Sequence, residues 1–133
     1  MHVSKWMTEN PFCAQPDDML EAVAEAMRRG RFRHAPVISP DRRVIGMVTE
    51  RDLREQKGYL SSTKVTAVVS EPAITVCADD PIARAAQIML ERQIGALPVV
   101  DGEQRILGIV STTDVLRAFL DCVGGADPIR KRE

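Results

Sequence analysis

The sequence predicts an α/β fold built from two tandem copies of one β-α-β-β-α unit, and three observations support this prediction. Hydrophobic residues make up 44% and charged residues 28% of the 133 positions, which is typical of a globular chain with a packed core. Short motifs recur at a constant distance along the chain, which indicates an internal duplication. Within each copy, a stretch with helical periodicity precedes two short apolar runs that are separated by a polar turn.

The duplication has an offset of 62 positions, since Pro36-Val37 recurs as Pro98-Val99. The same offset relates further pairs in the two halves: Asp17-Asp18 and Asp79-Asp80, Met27 and Met89, Gly46 and Gly108, Val48 and Val110, and Asp52 and Asp114. An offset that holds from position 17 to position 52 is not expected by chance. We therefore expect one repeat in residues 1–60, a second in residues 61–125, and a short tail in residues 126–133.

Each repeat opens with a short extended segment after a proline, in residues 11–14 and 72–76. An amphipathic helix follows, which is expected to reach Arg29 in the first repeat and about Arg92 in the second. Its apolar residues share one face at helical spacing and are expected in the core. They are Leu20, Val23, Ala24 and Met27 in the first repeat, and Ile82, Ala85, Ala86 and Met89 in the second.

The ends of these helices carry residues that suit helix termini. Asp18 and Asp80 precede the apolar runs, where a carboxylate would accept hydrogen bonds from the free N–H groups of the first turn. Pro81 suits the first helical position, and Gly30 suits the C-terminal cap.

A β-hairpin follows in each repeat. Residues 35–38 and 44–48 form its two strands in the first repeat, and residues 97–100 and 106–110 form them in the second. Thr49 and Ser111 then occupy N-cap positions, so second helices are expected from about Glu50 and Thr112.

Composition excludes several classes of protein. The formal net charge is −1 and aromatic residues make up 4%, which argues against a nucleic-acid partner. No segment approaches about 18 uninterrupted apolar residues, and the first six residues lack the apolar stretch of a signal peptide. Three cysteines without CxxC spacing favour a reducing compartment over a disulfide scaffold or a zinc site. We expect a cytoplasmic protein with no membrane partner and no metal.

Two octapeptides in register carry a resemblance to a known family. Residues 46–53 and 108–115 each contain a glycine, two apolar residues, a Thr or Ser, and an aspartate three positions after that hydroxyl residue. An apolar-Pro-Val strand precedes each of them, in residues 34–37 and 96–99, and Met7-Thr8 opens the first repeat as that family usually does. The chain resembles a stand-alone pair of CBS (cystathionine-β-synthase) domains over residues 3–122.

The resemblance implies a fold and a function. The two repeats would pack through their sheets into one pseudo-twofold module, and two modules would associate as a homodimer. The clefts between repeats would bind AMP, ADP, ATP or S-adenosylmethionine, with no cofactor required. Such a module senses metabolic state and modulates a separate protein effector, whose identity the sequence does not give.

The signature residues also suit a nucleotide on chemical grounds. A glycine lets backbone approach a flat base, a hydroxyl with the N–H groups of a helix start suits phosphate, and a carboxylate one turn on accepts from both ribose hydroxyls. The candidate residues are Gly46, Thr49 and Asp52 in the first repeat, and Gly108, Ser111 and Asp114 in the second. Walls for adenine would come from Phe12, Ile74 and the Pro-Val strands, which include Ala35, Ala96 and Leu97.

The two sites differ in charge. Arg33 and His34 precede the first Pro-Val strand, whereas Gly95 and Ala96 hold those positions in the second repeat. With Arg51, the first pair suits a phosphate near the first repeat. The pattern fits a structural alternative equally well. In that alternative the arginines belong to a solvated cluster at the helix end, and His34 is a hydrogen-bonded structural residue.

Purely structural roles would also explain the signature residues. The hydroxyl and aspartate pairs describe ordinary capped helices, and the two glycines suit close strand packing. At the level of function, the chain is either a ligand sensor or a non-catalytic dimerisation scaffold with empty clefts. No nucleophile–base pair supports an enzyme. Apolar residues that follow the signature motifs favour the homodimer: Leu53, Val115, Leu116, Phe119 and Leu120.

Overall fold

A computed structural model describes residues 1–124, so the tail predicted in residues 126–133 lies outside the described residues. The first half contains α1 (Val3–Trp6), β1 (Thr8–Glu9), α2 (Leu20–Gly30), β2 (His34–Ile38), β3 (Val44–Thr49) and α3 (Glu50–Glu55). The second half contains a 3-10 turn (Val65–Ala67), β4 (Val76–Cys77), α4 (Ile82–Arg92), β5 (Ala96–Val100), β6 (Ile106–Ser111) and α5 (Thr112–Gly124). The α/β class and the tandem arrangement are confirmed.

The two sheets have the same plan. One is four-stranded in the order β1-β6-β5-β4, with β4 parallel to β5 and the other pairs antiparallel. The other is the hairpin β2-β3, extended by single bridges from Ala14 to Val37 and from Ser70 to Met47. Through the offset of 62 positions, the bridge from Ala14 to Val37 corresponds to the pairing of β4 with β5. The bridge from Ser70 to Met47 corresponds in the same way to the pairing of β1 with β6. The duplication seen in the sequence is therefore a duplication of strand register.

The leading segment of each repeat packs on the other repeat. Val3 is fully buried in the core of the second repeat, and Trp6 and Met7 pack against that core. In return, Val65 is fully buried in the core of the first repeat, with Val68 packed beside it. The leading segment of each repeat therefore crosses to the other repeat.

The helix faces predicted for the core are largely buried. Leu20, Val23 and Met27 lie in the first core, and Ile82, Ala85 and Met89 lie in the second. Ala24 and Ala86 are half-buried at the edges of these faces.

Three predictions for the helix ends are wrong: the carboxylate caps, Pro81 at the first helical position, and Gly30 as the C-terminal cap. The carboxylates of Asp18 and Asp80 accept from the N–H groups of Gln15 and Cys77, at 2.8 Å each, so they close the preceding turns. The N-caps are Met19 and Pro81, and neither makes a side-chain capping bond.

At the C-terminal end of α2, Gly30 is the last helical residue, and Arg31 is the left-handed cap with φ 57°. The same position in α4 is taken by Gln93, with φ 55°. Both are non-glycine residues in a conformation that usually favours glycine.

The two hairpins meet on the pseudo-twofold axis. Arg43 and Arg105, which are 62 positions apart, form an antiparallel bridge. The amide of Val44 donates to the carbonyl of Gln104 at 2.9 Å, and the amide of Ile106 donates to the carbonyl of Arg42 at 3.0 Å. Each bond is the symmetry mate of the other, so the backbone fixes the relative position of the two repeats. No helix in residues 1–124 combines the length and apolar character that a bilayer crossing requires.

Candidate functional site

The two signature glycines serve strand packing. A Cβ on Gly108 would stand 2.6 Å from the carbonyl oxygen of Thr8 and 2.8 Å from the sulfur of Met7. A Cβ on Gly46 would collide in the same way with the carbonyl of Ser70. Of the two interpretations left open by the sequence, the structure shows that both glycines admit the strand contributed by the other repeat.

The first signature forms a capping box at the start of α3. The hydroxyl of Thr49 accepts from the amide of Asp52 at 3.3 Å, and the carboxylate of Asp52 accepts from the amide of Thr49 at 2.8 Å. The amide of Glu50 donates to the carbonyl of Arg33 at 2.8 Å. The expectation of several free N–H groups for a phosphate is therefore wrong here, because three of these amides already have acceptors.

In the second signature, both the hydroxyl hydrogen and the carboxylate already have partners within the protein. The carboxylate of Asp114 accepts from the amide of Ser111 at 2.8 Å and from its hydroxyl at 3.1 Å, and it lies 3.7 Å from Arg117. Asp114 is only 7% exposed, whereas Asp52 is half-buried. In residues 1–124 no acceptor is found for the hydroxyl hydrogen of Thr49, so this group and one carboxylate oxygen of Asp52 remain available to a ligand.

A cleft of about 420 Å³ opens beside the first signature and lies between the repeats. The first repeat contributes Arg33, His34, Met47, Thr49, Glu50, Arg51, Asp52 and Arg54, and the second contributes Ser70, Pro72, Ala73, Ile74, Gln93, Ile94, Gly95, Ala96 and Pro98. Neither repeat alone could form this cleft. We refer to it below as the inter-repeat cleft.

Seven of the residues predicted for a ligand site line the inter-repeat cleft: Arg33, His34, Thr49, Arg51, Asp52, Ile74 and Ala96. The other seven do not line it. Ala35 and Leu97 are fully buried in the two cores, and Phe12 packs against Phe32 with ring centroids 5.6 Å apart. Gly46 and Gly108 each pack against the strand contributed by the other repeat. Ser111 and Asp114 bond to each other.

Sequence reasoning missed part of the cleft wall. Pro72 and Ala73 reach the cleft because they follow Ser70, which pairs with Met47 beside Gly46. Gln93 and Ile94 reach it from the end of α4. The only sequence signal for these residues was that Ala73 immediately precedes Ile74.

The polar side of the cleft is rich in cations. Neither Arg33 nor Arg51 forms an ion pair within residues 1–124, whereas Arg54 binds Glu50 at 2.9 and 3.1 Å. Hydrogen bonding from Arg54, together with the charge of Arg33, lowers the pKa of Glu50. The free cations suit an anionic group on a ligand.

His34 faces the second repeat across the cleft. Its ring lies beside Gly95, where no side chain intervenes. Burial lowers the pKa of His34, and the nearby charge of Arg33 lowers it further. Both causes favour the neutral imidazole, which can donate one hydrogen bond and accept another.

One group of potential metal ligands was not singled out from the sequence. Ligand atoms of Cys77, Asp79 and Asp80 lie within 4.8 Å of one another at the surface. The carboxylate of Asp80 closes the turn by accepting from the amide of Cys77. This cluster lies outside the inter-repeat cleft.

The chain matches a known family twice, once in each repeat. A family model described as CBS domain matches residues 3–58 and again residues 65–121. The chain is 30% identical to protein MJ1225 of Methanocaldococcus jannaschii over 131 residues, which are 88% of this chain and 46% of that protein. The chain thus spans less than half the length of MJ1225, and about a quarter of several other curated relatives.

Solved structures show the same architecture. The crystal structure of MJ1225 has a TM-score of 0.80 at 30% identity and covers 89% of this chain and 47% of that one. The crystal structure of CBSX2 in complex with AMP has a TM-score of 0.80 at 25% identity, covering 91% and 97%. The CBS domain pair of MJ0100, in complex with 5′-methylthioadenosine and S-adenosyl-L-methionine, has a TM-score of 0.83 at 23% identity, covers 90% and 95%, and shares the fold.

Proposed function

This chain belongs to the CBS domain family, and from that premise we propose that it is a regulatory, non-catalytic module that binds one adenosine-containing ligand in the inter-repeat cleft. Occupancy of the cleft would then modulate a separate protein. The observation that carries the proposal is that Thr49 and Asp52 of one repeat face Ile74 and Ala96 of the other across a single cavity.

The apolar wall suits a purine base. Ile74, Ala96 and Pro98 come from the second repeat, and Met47 closes the wall from the first. A flat base between these side chains would exclude water from both of its faces, which is the main source of affinity in pockets of this kind. CBSX2, which has this fold, binds AMP, and this supports an adenine ligand.

Asp52 suits the ribose. One of its carboxylate oxygens holds the amide of Thr49, and the other has no bond within the described chain. A carboxylate acceptor strengthens hydrogen bonds from the two ribose hydroxyls relative to a neutral side chain. The capping box holds the carboxylate in place before the ligand arrives.

The phosphate would lie beside Thr49, Arg33 and Arg51. The hydroxyl of Thr49 already accepts from the amide of Asp52, so its hydrogen can be donated to a phosphate oxygen. The two arginines line the same cleft without ion pairs in residues 1–124, and they would supply charge-assisted bonds.

Differences between the signatures favour one functional cleft. Ser111 donates its hydroxyl hydrogen to Asp114, and Asp114 is buried next to Arg117. A ligand at that position would have to break these bonds. We therefore propose that the repeat carrying Asp52 supplies the ligand site and that the repeat carrying Asp114 has kept only the structural half of the motif.

A second candidate function is a dimerisation scaffold. On α4 and α5, Leu90, Leu116 and Phe119 are 80%, 62% and 58% exposed. Apolar side chains at this exposure favour a protein partner. Leu53 and Val115, which the sequence had placed on this surface, instead pack into the two cores. The exposed face is compatible with a sensor that is also a homodimer.

A thermal-shift panel separates the two functions. The purified chain is heated with AMP, ADP, ATP, S-adenosylmethionine or no ligand, with GMP as the base-specificity control. Linkage gives about 2.7 kcal/mol of stabilisation at 100 times the dissociation constant, which is a shift of several degrees for a chain of this size. The proposal expects a shift with at least one adenine ligand and a smaller one with GMP. No shift with any adenine ligand would favour the scaffold.

A further inference from the structure

A second cavity, of about 600 Å³, lies on the helical side of the first repeat, between α2 and α3. Its floor is apolar and its rim is basic. The floor consists of Ala24, Met27, Phe32, Leu53 and Leu60. The rim consists of Arg28, Arg31, Arg33, Arg54 and Lys57, and Glu50 is the one acidic residue that residues 1–124 contribute to it. We refer to it as the cationic groove.

The cationic groove adjoins the inter-repeat cleft. Arg33, Glu50 and Arg54 line both cavities, so these side chains form the boundary between them. This boundary is at the surface, since the side chains of Arg54 and Glu50 are 66% and 43% exposed. A ligand can therefore pass over it without opening the core.

Several cations of the groove lack a counter-charge. Arg28 is paired with Glu25, and Arg54 is paired with Glu50. Within residues 1–124, Arg31, Arg33 and Lys57 form no ion pair. Three cations without an ion pair in this part of the chain, along one groove, produce a positive potential that attracts an extended anion.

We propose that the cationic groove binds the distal phosphates of the nucleotide held in the inter-repeat cleft, so that this chain prefers adenosine polyphosphates to AMP. The inference rests on the proposed function, since the adenosine part would still be held by Asp52 and Ile74. It also disfavours S-adenosylmethionine, whose sulfonium would bring a positive charge towards Arg33 and Arg54.

The distances along α3 suit a short polyphosphate. A helix rises about 1.5 Å per residue, so the backbone of Arg54 lies about 7.5 Å along the axis from that of Thr49. The long side chain of Arg54 covers part of this distance, since it reaches back to Glu50. An α-phosphate near Thr49 would therefore place the following phosphates over the boundary and towards the groove.

Glu50 is the residue that opposes this path. Its carboxylate occupies Arg54 with two hydrogen bonds, and its pKa is lowered by that contact. A phosphate that takes Arg54 has to displace Glu50 and then faces its negative charge. Glu50→Gln would remove the charge and should strengthen the binding of ATP more than that of AMP.

The test measures the affinities of AMP and ATP by titration calorimetry at about 0.1 M salt, where screening leaves short-range contacts largely intact. The test variant is Arg31→Asn with Lys57→Ala, in which asparagine accepts the left-handed conformation of position 31. The matched control is Arg29→Ala, which removes a cation that is paired with Glu25 and lines neither cavity.

We expect the unmodified chain to bind ATP about tenfold or more tightly than AMP. The double variant should lose that preference while its affinity for AMP stays within about twofold, and Arg29→Ala should keep it. The inference is overturned if ATP binds no more tightly than AMP, or if the double variant keeps the preference. A chain that binds AMP without any preference leaves the proposed function standing, whereas a chain that binds neither nucleotide contradicts both.

Discussion

The imidazole of His34 lies beside Gly95, and a Cβ on that glycine would be 3.5 Å from both Cε1 and Nε2 of the ring. The internal duplication relates Gly95 to Arg33, so one repeat carries a long cation where the other carries no side chain. This difference leaves space on one side of the inter-repeat cleft and places a positive charge on the other. The duplicated fold thus acquired an asymmetric site through single side chains.

Filling that space should block the ligand. Gly95→Leu would place an apolar side chain against His34 and within the cleft, so we expect adenine-nucleotide affinity to fall by about tenfold or more. The control is Gly102→Leu, because a Cβ there meets no atom of residues 1–124 within 4 Å. Calorimetry of both variants measures the effect, and equal affinities for the two would show that the ligand lies elsewhere.

Gly46 should be important for stability. A Cβ there would collide with the backbone carbonyl of Ser70, which cannot move away without disturbing its bridge to Met47. Overpacking of this kind costs about 1–3 kcal/mol, so Gly46→Ala should lower the free energy of unfolding by that amount. Urea denaturation measures it, with Gly102→Ala expected within about 0.5 kcal/mol of the parent. A neutral Gly46→Ala would contradict the packing role.

The sequence predicts the repetitive part of the fold well. Helical spacing from Leu20 to Met27 and the apolar runs around Pro36 and Pro98 report local periodicity, and the structure confirms the elements they predict. Helix ends were less predictable. An aspartate before an apolar run, such as Asp18, looks the same in the sequence whether it caps the helix or closes the turn before it.

The candidate site was predictable in part, and Arg33 and Ile74 were predicted for it although they lie outside the repeated signature. Thr49 and Asp52 follow from the spacing, whereas Ala73 and Ile94 reach the cleft through the placement of one repeat on the other. No local pattern encodes that placement. The contrast between Ser111 and Thr49 was also hidden, since it depends on which hydroxyl hydrogen already has an acceptor.

Stability should depend on pH through His34. Burial, followed by the charge of Arg33, lowers its pKa in the folded state below the ordinary value of about 6.5. The unfolded chain therefore binds this proton at a higher pH than the folded chain does. As a result, the free energy of unfolding decreases as the pH falls below about 6.5. We expect a smaller free energy of unfolding at pH 5.5 than at pH 7.5. His34→Gln should reduce this difference, and an unchanged difference in the variant would contradict the assignment to His34.

The exposed apolar face of α5 should support a homodimer. Phe119→Asp places a charge near Leu116, which lies one turn earlier on the same helix, and next to Leu120 in the chain. Both leucines are also exposed, so the substitution should shift the chain from dimer to monomer. Sedimentation velocity over a range of concentrations measures the change. The matched control is Tyr59→Asp, an exposed aromatic residue outside this face. A parent chain that stays monomeric at high concentration would contradict the prediction.

The most direct test of a single adenosine site beside Asp52 compares Asp52→Asn with Asp114→Asn in calorimetric titrations with AMP and ATP. Asparagine keeps an oxygen that can accept from the capped amide, so each helix start is retained while the carboxylate charge is lost. Loss of a charge-assisted hydrogen bond costs about 1.5–3 kcal/mol. Asp52→Asn should therefore lower the affinity for whichever nucleotide binds more tightly by about tenfold to a hundredfold. We expect one site per chain, with Asp114→Asn binding as the parent does. Equal loss in the two variants, or no loss in Asp52→Asn, would contradict a single adenosine site beside Asp52.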